Sequence, residues 1–426
     1  MWFFIPDSFL IIIILLLSFI PALWNLLQVY YYRVGLKATS DIKPQGRGEK
    51  FFSVIIAVKG EDRETIKGLI DNLSSLDYRN YEVIIVSDDD ETHFKQIFGD
   101  LTLPKNFRIF RRDNPKGGKA GALNFACSKG IGDYFVFLDA DARVDKEFLK
   151  RLNKKDFNAA AFKISIYGVE TELQKYYRDF TDKVMISLFR GRSSLGLPIF
   201  PNGSAFSIKR DTLWNVGMWK EGVIAEDLEL GIRLFLKGVK VEYFHDITVL
   251  SKAPYTLHDL FKQIERWAYG SSQILLLSLK MLGKGFKGVE GFIYAQQWGI
   301  YPLFLLTLLF FNGMEFLLGI NQLILLLPLI IYGVSTAAYV LSLGQKEGDF
   351  SIVITIINAS TSGYWKGLLK IPYKWRVTPK QRREEESQKS SFKELPIFLF
   401  SFINSLYGYW LSSLILLGLA IMESLA

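Results

Sequence analysis

The fold is decided by YFVFLDAD, residues 134–141, in which five apolar residues run directly into two aspartates separated by one alanine. A short continuous apolar run is typical of a strand that is buried on both faces of a parallel sheet. Open α/β sheets bind their ligands at the carboxyl ends of such strands. The stretch therefore predicts a buried strand that delivers two carboxylates to a ligand-binding edge.

The same apolar pattern occurs three times upstream. Phe52 to Val58 and Tyr81 to Val86 are apolar and rich in β-branched residues, and Arg108 to Phe110 is a shorter run. Helical spacing of apolar residues lies between the first two, over Thr65 to Leu73, and a further helix is predicted over Gly121 to Ser128. Strands and helices that alternate in this way predict a doubly wound, Rossmann-like α/β sheet.

Acidic residues follow the predicted strands. Glu61 follows the first strand, Asp88 the second, and Asp139 and Asp141 the fourth. Two acids in one turn are more often part of a solvated loop, but their position at a strand end, beside the other acidic residues, favours a binding site. Carboxylates suit a hard divalent cation, Mg²⁺ or Mn²⁺, which leaves coordination positions for phosphate oxygens.

Two further clusters lie downstream. Glu226 and Asp227 open a predicted helix, where the helix dipole alone would favour acidic residues. In the functional alternative, one of the two, preferably Asp227, is a general base that removes a proton from a hydroxyl group. A helix that follows Thr256 places Gln263, Arg266 and Trp267 on one face. Arginine suits a diphosphate, although an interfacial helix with a tryptophan anchor would show the same residues.

A glycine-rich turn over residues 114–121, NPKGGKAG, opens another predicted helix and contains Lys119. Backbone amides at a helix start can bind an anion, but the turn does not match the phosphate-loop motif.

The single cysteine, Cys127, excludes an intrachain disulfide and a cysteine metal site.

The chain is 50% hydrophobic and has a formal net charge of +8. We expect a transmembrane anchor over residues 1–32, with the alternative of a cleaved signal peptide. The basic residues that follow this anchor predict that the domain at 50–270 lies in the cytoplasm. Basic residues beside a membrane also explain the positive net charge, so a nucleic-acid partner is not needed to account for it. The further expected segments are an amphipathic interface helix at 271–290, two transmembrane helices within 292–345, an interfacial and basic cytoplasmic segment at 350–394, and a last transmembrane helix at 395–423.

Taken in order, these motifs resemble the family 2 glycosyltransferases with a GT-A fold. The resemblance is to the membrane-integrated branch, which includes cellulose, hyaluronan and poly-N-acetylglucosamine synthases and ceramide glucosyltransferase. It is carried by residues 53–56, 81–88, 119–124, 137–141, 225–228 and 263–267. The sequence departs from the family pattern at Ala57, where proline is usual, at Asp89 and Asp90, where Gly-Ser is common, and at residues 201–204, PNGS, which lack the cysteine of several synthases.

The resemblance implies a role for each matching residue. Asp227 would be the catalytic base, and Asp139 and Asp141 would bind a Mg²⁺ or Mn²⁺ ion. The implied donor-binding residues are Ala57, Glu61, Asp88, Lys119 and Asp139. The implied acceptor and diphosphate residues are Glu226, Gln263, Arg266 and Trp267. Residues 375–380 would form a gating or capping segment.

The leading functional hypothesis is an inverting glycosyltransferase that moves a sugar from a nucleotide-sugar donor, a UDP-sugar by resemblance, to a growing polysaccharide. It would act as a multi-pass protein on the cytoplasmic face of the plasma membrane. Transfer of a single sugar to a lipid, such as ceramide or polyprenyl phosphate, is the second hypothesis. A non-catalytic membrane protein that binds nucleotide sugars is the third, and a channel is disfavoured because the apolar segments are nearly free of charges.

Overall fold

The computed structural model describes residues 7–38, 48–318, 323, 326–344 and 350–373, together with scattered positions between 401 and 418. Most of the expected last transmembrane helix and the whole of the expected capping segment at 375–380 lie outside the described residues.

A parallel half-sheet forms the first part of the globular region and confirms the four predicted strands. The strands are β1 (Phe52–Val58), β2 (Tyr81–Ser87), β3 (Phe107–Arg111) and β4 (Tyr134–Leu138). All their mutual pairings are parallel, with β1 between β2 and β4. The strands are joined by helices α2 (Arg63–Ser74), α3 (Glu91–Phe98) and α4 (Gly118–Lys129), which follow an N-terminal helix α1 (Asp7–Lys37).

The second half-sheet is mixed, so the doubly wound, Rossmann-like prediction describes the first half-sheet only. The additional strands are β5 (Arg143–Val144), β6 (Ala159–Tyr167), β7 (Ala205–Lys209) and β8 (Val241–Lys252). The complete order is β3-β2-β1-β4-β7-β6-β8-β5. Strand β7 runs antiparallel to both β4 and β6. Apolar periodicity reports burial and not strand direction, so the sequence pattern could not predict this reversal.

Helices between and after these strands complete the described part of the chain. Those within the globular region are α5 (Phe148–Asn153), α6 (Glu172–Val184), a π-helix (Met185–Gly191), α7 (Arg192–Ser194), α8 (Arg210–Val216) and α9 (Glu226–Leu236). Those that follow it are α10 (Leu257–Gln273), α11 (Leu275–Leu279), α12 (Gly285–Ala295), α13 (Ile300–Leu318), α14 (Leu326–Leu343) and α15 (Phe350–Leu368).

The segment expected as one interface helix at 271–290 is divided in the structure. Helix α10 ends at Gln273, a short 3₁₀ helix (Lys280–Lys284) follows α11, and α12 begins at Gly285. Gly285, at the junction of the 3₁₀ helix and α12, has a φ of 67°, and this left-handed backbone conformation prevents the two from forming one continuous helix. Among the described residues no single helix has the length and apolar composition of a membrane span. Leu275–Ala295 and Gln297–Phe310 meet that test only as a pair, with a bend of 58° between them.

Close backbone contacts fasten the outer helices to the globular region. A Cβ atom at Gly191 of the π-helix would lie 2.0 Å from the Tyr31 carbonyl oxygen of α1. Similarly, a Cβ atom at Gly363 of α15 would lie 2.1 Å from the Glu265 carbonyl oxygen of α10. Glycine is required at both positions because any side chain would push the paired elements apart. Helices α1 and α15 are therefore part of the same packed unit as the sheet.

Candidate active site

A cavity of about 720 Å³ opens at the carboxyl ends of β1, β2 and β4. All residues that the sequence singled out for a binding or catalytic role line this cavity, although they come from widely separated parts of the chain. They are Ala57, Glu61, Asp88, Lys119, Asp139, Asp141, Glu226, Asp227, Gln263, Arg266 and Trp267. The expected convergence of acidic residues at one sheet edge is therefore present.

Lys119 lies at the centre of the charged part of the cavity. Its Nζ is 2.8 Å from Asp139 Oδ1 and 3.4 Å from Glu226 Oε1. Burial alone would lower the pKa of Lys119, but the charges of Asp139, Glu226 and Asp227 outweigh burial and raise it. The lysine, at the first turn of α4, is therefore a fixed cation among three carboxylates.

The three aspartates after β2 have different partners. The Asp88 carboxylate lines the cavity and accepts two hydrogen bonds of 2.6 Å from the Arg112 guanidinium. Asp89 accepts from the Gly60 amide at 2.6 Å and so joins the loops after β1 and β2. Asp90 caps α3 by accepting from the His93 amide. Of the three, only Asp88 lines the cavity.

Asp139 and Asp141 form the turn after β4. Asp141 is almost completely buried, and its Oδ2 accepts from the Ser251 hydroxyl at 3.1 Å and from the Lys252 amide at 3.0 Å, which ties the turn to the end of β8. Within the described chain, no group of three or more His, Cys, Asp or Glu side chains is placed to hold a metal ion. The two carboxylates fit a hard divalent cation as a partial ligand set, to which diphosphate oxygens and water would add.

Asp227 is held at the start of α9. Its Oδ2 accepts from the Gly203 amide at 2.8 Å and its Oδ1 from the Leu228 amide at 2.8 Å. A Cβ atom at Gly203 would lie 3.0 Å from Asp227 Oδ2, so the loop approaches the carboxylate closely. Burial and the Asp227 charge raise the pKa of neighbouring Glu226, whereas Lys119 opposes this shift. The two acids of the pair therefore have different environments.

Helix α10 presents Gln263, Arg266 and Trp267 to the cavity, as the helical spacing predicts. Gln263 Oε1 accepts from the Tyr177 hydroxyl at 3.1 Å, and the Trp267 and Trp298 rings lie 5.7 Å apart. Across the described residues the Arg266 guanidinium forms no salt bridge, which leaves it available for an anionic ligand.

Two residues that contribute to the site, Arg112 and Tyr177, were not found by sequence reasoning, and one residue of the 263–267 stretch, Glu265, has a structural role outside the cavity. Arg112 directly follows β3, at the same edge as the other strand ends, and this position could have indicated its pairing with Asp88. Tyr177 lies on α6, a helix that the pattern analysis did not predict. Glu265 faces away from the other motif residues and binds Ser362 at 2.8 Å and Lys366 at 2.5 Å. Lys366 thereby anchors α15 to α10.

The cavity continues from the charged residues into the outer helices. Asn25 of α1, Tyr339 of α14 and Ile356 of α15 line this part, as do Tyr176 of α6 and Tyr301 of α13. Asn25 donates to Ser335 and Thr336 of α14 at 3.2 and 3.1 Å. The cavity thus has a charged end at the sheet and an aromatic and aliphatic end between helices.

Comparison with known proteins identifies the class to which this fold and site belong. The model of glycosyl transferase family group 2 matches residues 134–355. A protein of Sulfolobus acidocaldarius named "Probable glycosyltransferase" is 29% identical over 401 residues, which are 86% of this chain and 85% of that protein. The poly-β-1,6-N-acetyl-D-glucosamine synthase of Staphylococcus aureus is 26% identical over 269 residues, 61% of this chain and 64% of the synthase.

The structural similarity agrees with the sequence matches. A mannosyltransferase from Pyrobaculum calidifontis, solved in complex with GDP-Man and Mn²⁺, aligns with a TM-score of 0.56 and 18% identity over 84% of this chain and 100% of its own. The mixed sheet therefore resembles the GT-A glycosyltransferase fold. The molecule is an enzyme of the glycosyltransferase class. The chain belongs to glycosyl transferase family group 2.

Proposed function

We propose that this enzyme transfers a sugar from a nucleotide-sugar donor to a growing polysaccharide, with inversion at the anomeric carbon. The observation that supports this proposal is the convergence of Asp88, Asp139, Asp141 and Asp227 on one cavity beside the cation of Lys119. A glycosyl transfer needs positive charge around the departing diphosphate and a base for the acceptor hydroxyl.

The residues divide into three roles. Asp227 accepts the proton of the attacking acceptor hydroxyl, and the amides of Gly203 and Leu228 hold its carboxylate in place. Lys119 and Arg266 bind the diphosphate, while Ala57, Glu61 and Asp88 bind the nucleoside. Asp139 and Asp141 would hold a Mg²⁺ or Mn²⁺ ion, which when bound neutralises the diphosphate as a Lewis acid.

The named relatives support particular parts of this proposal. The Staphylococcus aureus relative is a polysaccharide synthase by name, which favours a carbohydrate acceptor. The Pyrobaculum calidifontis structure holds GDP-Man and Mn²⁺, so GDP-sugars belong beside UDP-sugars among the donors to test.

The proposed location is the plasma membrane, with the domain at 50–270 on the cytoplasmic side. The apolar composition of residues 9–27, the basic residues that follow them and the bent pair at 275–310 support membrane attachment. In this arrangement the helical end of the cavity faces the bilayer.

Transfer to a lipid is the second candidate, and one observation favours it. The wall that α15 contributes to the cavity is aliphatic and consists of Ile352, Val353, Ile356 and Ile357. Such a surface would bind a hydrocarbon chain by burial of apolar area. The nature of the product distinguishes the two candidates, because a lipid product is extracted by organic solvent and a polymer has a high molecular mass.

A donor screen tests the proposal. Purified full-length protein is incubated with UDP- or GDP-sugars, with Mn²⁺, Mg²⁺ or EDTA, and nucleotide release is measured. We expect cation-dependent release that is lost in Asp141→Asn, whose side-chain oxygen can still accept from Ser251 and Lys252. The matched control is Asp246→Asn, at a half-exposed residue that pairs with Lys155 and does not line the cavity. Nucleotide binding without turnover in the wild type would favour the non-catalytic hypothesis.

A further inference from the structure

One tyrosine in the cavity wall has no part in the roles described above. Tyr294 lies at the end of α12, is 6% exposed and lines the cavity. Its hydroxyl forms no hydrogen bond with any residue that the structure describes. The hydroxyl oxygen is not among the buried polar atoms that lack a partner, so it is accessible from the open space of the cavity. A tyrosine combines an apolar ring with a hydroxyl group that normally takes a hydrogen-bond partner. The partner of Tyr294 is therefore to be sought among molecules that enter the cavity.

Two side chains pack against the Tyr294 ring. The Arg192 guanidinium carbon lies 4.1 Å from the ring centroid, and the Phe200 ring is stacked on it with a centroid distance of 5.0 Å and an interplanar angle of 11°. Arg192 is completely buried, donates to Glu290 Oε1 at 2.5 Å and also binds the Pro198 carbonyl. Tyr31 of α1 donates to the same Glu290 oxygen. Side chains from three separate helices thus fix one phenol.

The residues beside the Tyr294 ring also contact the helix that carries Asp227. A Cβ atom at Gly231 of α9 would lie 2.8 Å from Phe200 and 2.7 Å from Pro201, so this stretch lies directly against the helix that begins with Asp227. Two residues after Pro201, the Gly203 amide donates to Asp227. Tyr294 and Asp227 are consequently on the same wall, joined through one short loop.

We infer that the Tyr294 hydroxyl forms a hydrogen bond with a hydroxyl group of the acceptor, beside Asp227, and that Tyr294 is a specificity-determining residue for the acceptor. Arg192 is then a positioning residue that acts through the ring. The inference rests on the proposed function, since it requires that an acceptor enters this cavity. It concerns the acceptor alone, because the nucleotide-binding residues lie on the strand side of the cavity.

The test compares Tyr294→Phe with Tyr243→Phe in the full-length protein. Both changes remove one hydroxyl from a buried ring, but the Tyr243 hydroxyl lies 3.2 Å from His245 and does not line the cavity. An N-acetylglucosamine tetramer and dolichyl phosphate are the acceptor probes. The kinetic constants are measured with the probe that the wild type uses, and UDP and GDP binding with Mn²⁺ is measured by calorimetry.

We expect Tyr294→Phe to lower kcat/KM for the acceptor about threefold to tenfold, the effect of one lost neutral hydrogen bond. Nucleotide affinity and the melting temperature should stay at the wild-type values, and Tyr243→Phe should leave kcat/KM unchanged. A wild-type acceptor kcat/KM in Tyr294→Phe would overturn the inference and leave the proposed function intact. A wild type that transfers to neither probe and releases no nucleotide would overturn the proposed function, and the inference with it.

Discussion

The two ends of the cavity differ in chemistry. At the strand end, charged groups are paired at short distances: Arg112 binds Asp88, and Lys119 lies between Asp139 and Glu226. At the helical end, the walls are aromatic and aliphatic, with Trp267, Trp298 and the isoleucines of α15. Fixed charges stabilise a specific leaving group, whereas ring and aliphatic surfaces bind by contact area.

This difference indicates that the two ends of the cavity have different functions. In the proposed function, the strand end would provide the electrostatics for departure of the nucleotide, and the helical end would receive the acceptor. Changes at the two ends should consequently affect different measured quantities.

Asp227→Asn should reduce kcat about 10²- to 10⁴-fold, the usual contribution of a positioned general base. The amide oxygen of asparagine can still accept from the Gly203 amide, so the loop should keep its place. Nucleotide affinity should remain at the wild-type value, as measured by calorimetry with Mn²⁺. A wild-type kcat in this variant would show that Asp227 is not the general base, and would contradict the proposed roles of the two ends of the cavity.

Arg192→Ala should destabilise the protein by about 3–5 kcal/mol, because it leaves the buried Glu290 carboxylate without its cation. Thermal unfolding of the purified protein measures the change. The control is Lys150→Ala, which removes a half-exposed ion pair with Asp77 and should cost no more than about 1 kcal/mol. Equal losses in the two variants would show that the buried ion pair beneath Tyr294 is not a structural anchor.

Gly363→Ala should destabilise by about 1–3 kcal/mol, because the new methyl group would meet the Glu265 backbone and separate α15 from α10. Acceptor KM should rise and nucleotide affinity should fall together, because α10 carries both Trp267 and Arg266. Thermal unfolding measures the loss of stability. The matched control is Gly333→Ala in α14, where a Cβ atom meets nothing within 4 Å. That control should be neutral or more stable by up to about 1 kcal/mol. A wild-type melting temperature in Gly363→Ala would contradict the close packing of α15 on α10.

The smallest effect concerns the pH dependence of stability. Burial, assisted by Asp227, raises the pKa of Glu226 above its ordinary 4.5. The stabilising contribution of this carboxyl is therefore fully present below pH 4.5 and is lost as the pH rises through the raised pKa. Glutamine does not titrate, so Glu226→Gln should not lose this contribution to stability. Its melting temperature should therefore fall less than that of the wild type as the pH rises from 4.5 toward neutrality. Identical pH profiles would contradict the assigned environment.

The strand end of the site could be predicted from sequence and the helical end only in part. Runs such as Phe52 to Val58 are buried on both faces, so their composition indicates both the strand and the edge at which Asp88 and Asp139 lie. The spacing of Gln263, Arg266 and Trp267 likewise predicted a shared helix face. These signals are local, and they depend only on the periodicity of the chain.

Features that depend on distant contacts were not predictable in this way. The antiparallel direction of β7 is set by its pairing with β4 and β6. The packing of α15 on α10 depends on glycine at 363 and on the Glu265–Lys366 ion pair, whose partners are far apart in the sequence. Nothing in the spacing around Arg192 indicates that it would be buried against Glu290 and Tyr294.

The proposed positions of the metal ion and the diphosphate can be located directly. Crystals of the full-length protein with UDP or GDP and Mn²⁺ would show the ion by its anomalous scattering. We expect one peak within coordinating distance of the Asp139 and Asp141 carboxylates, with the diphosphate between it and Lys119. A nucleotide bound with Mn²⁺ at any other place would contradict it.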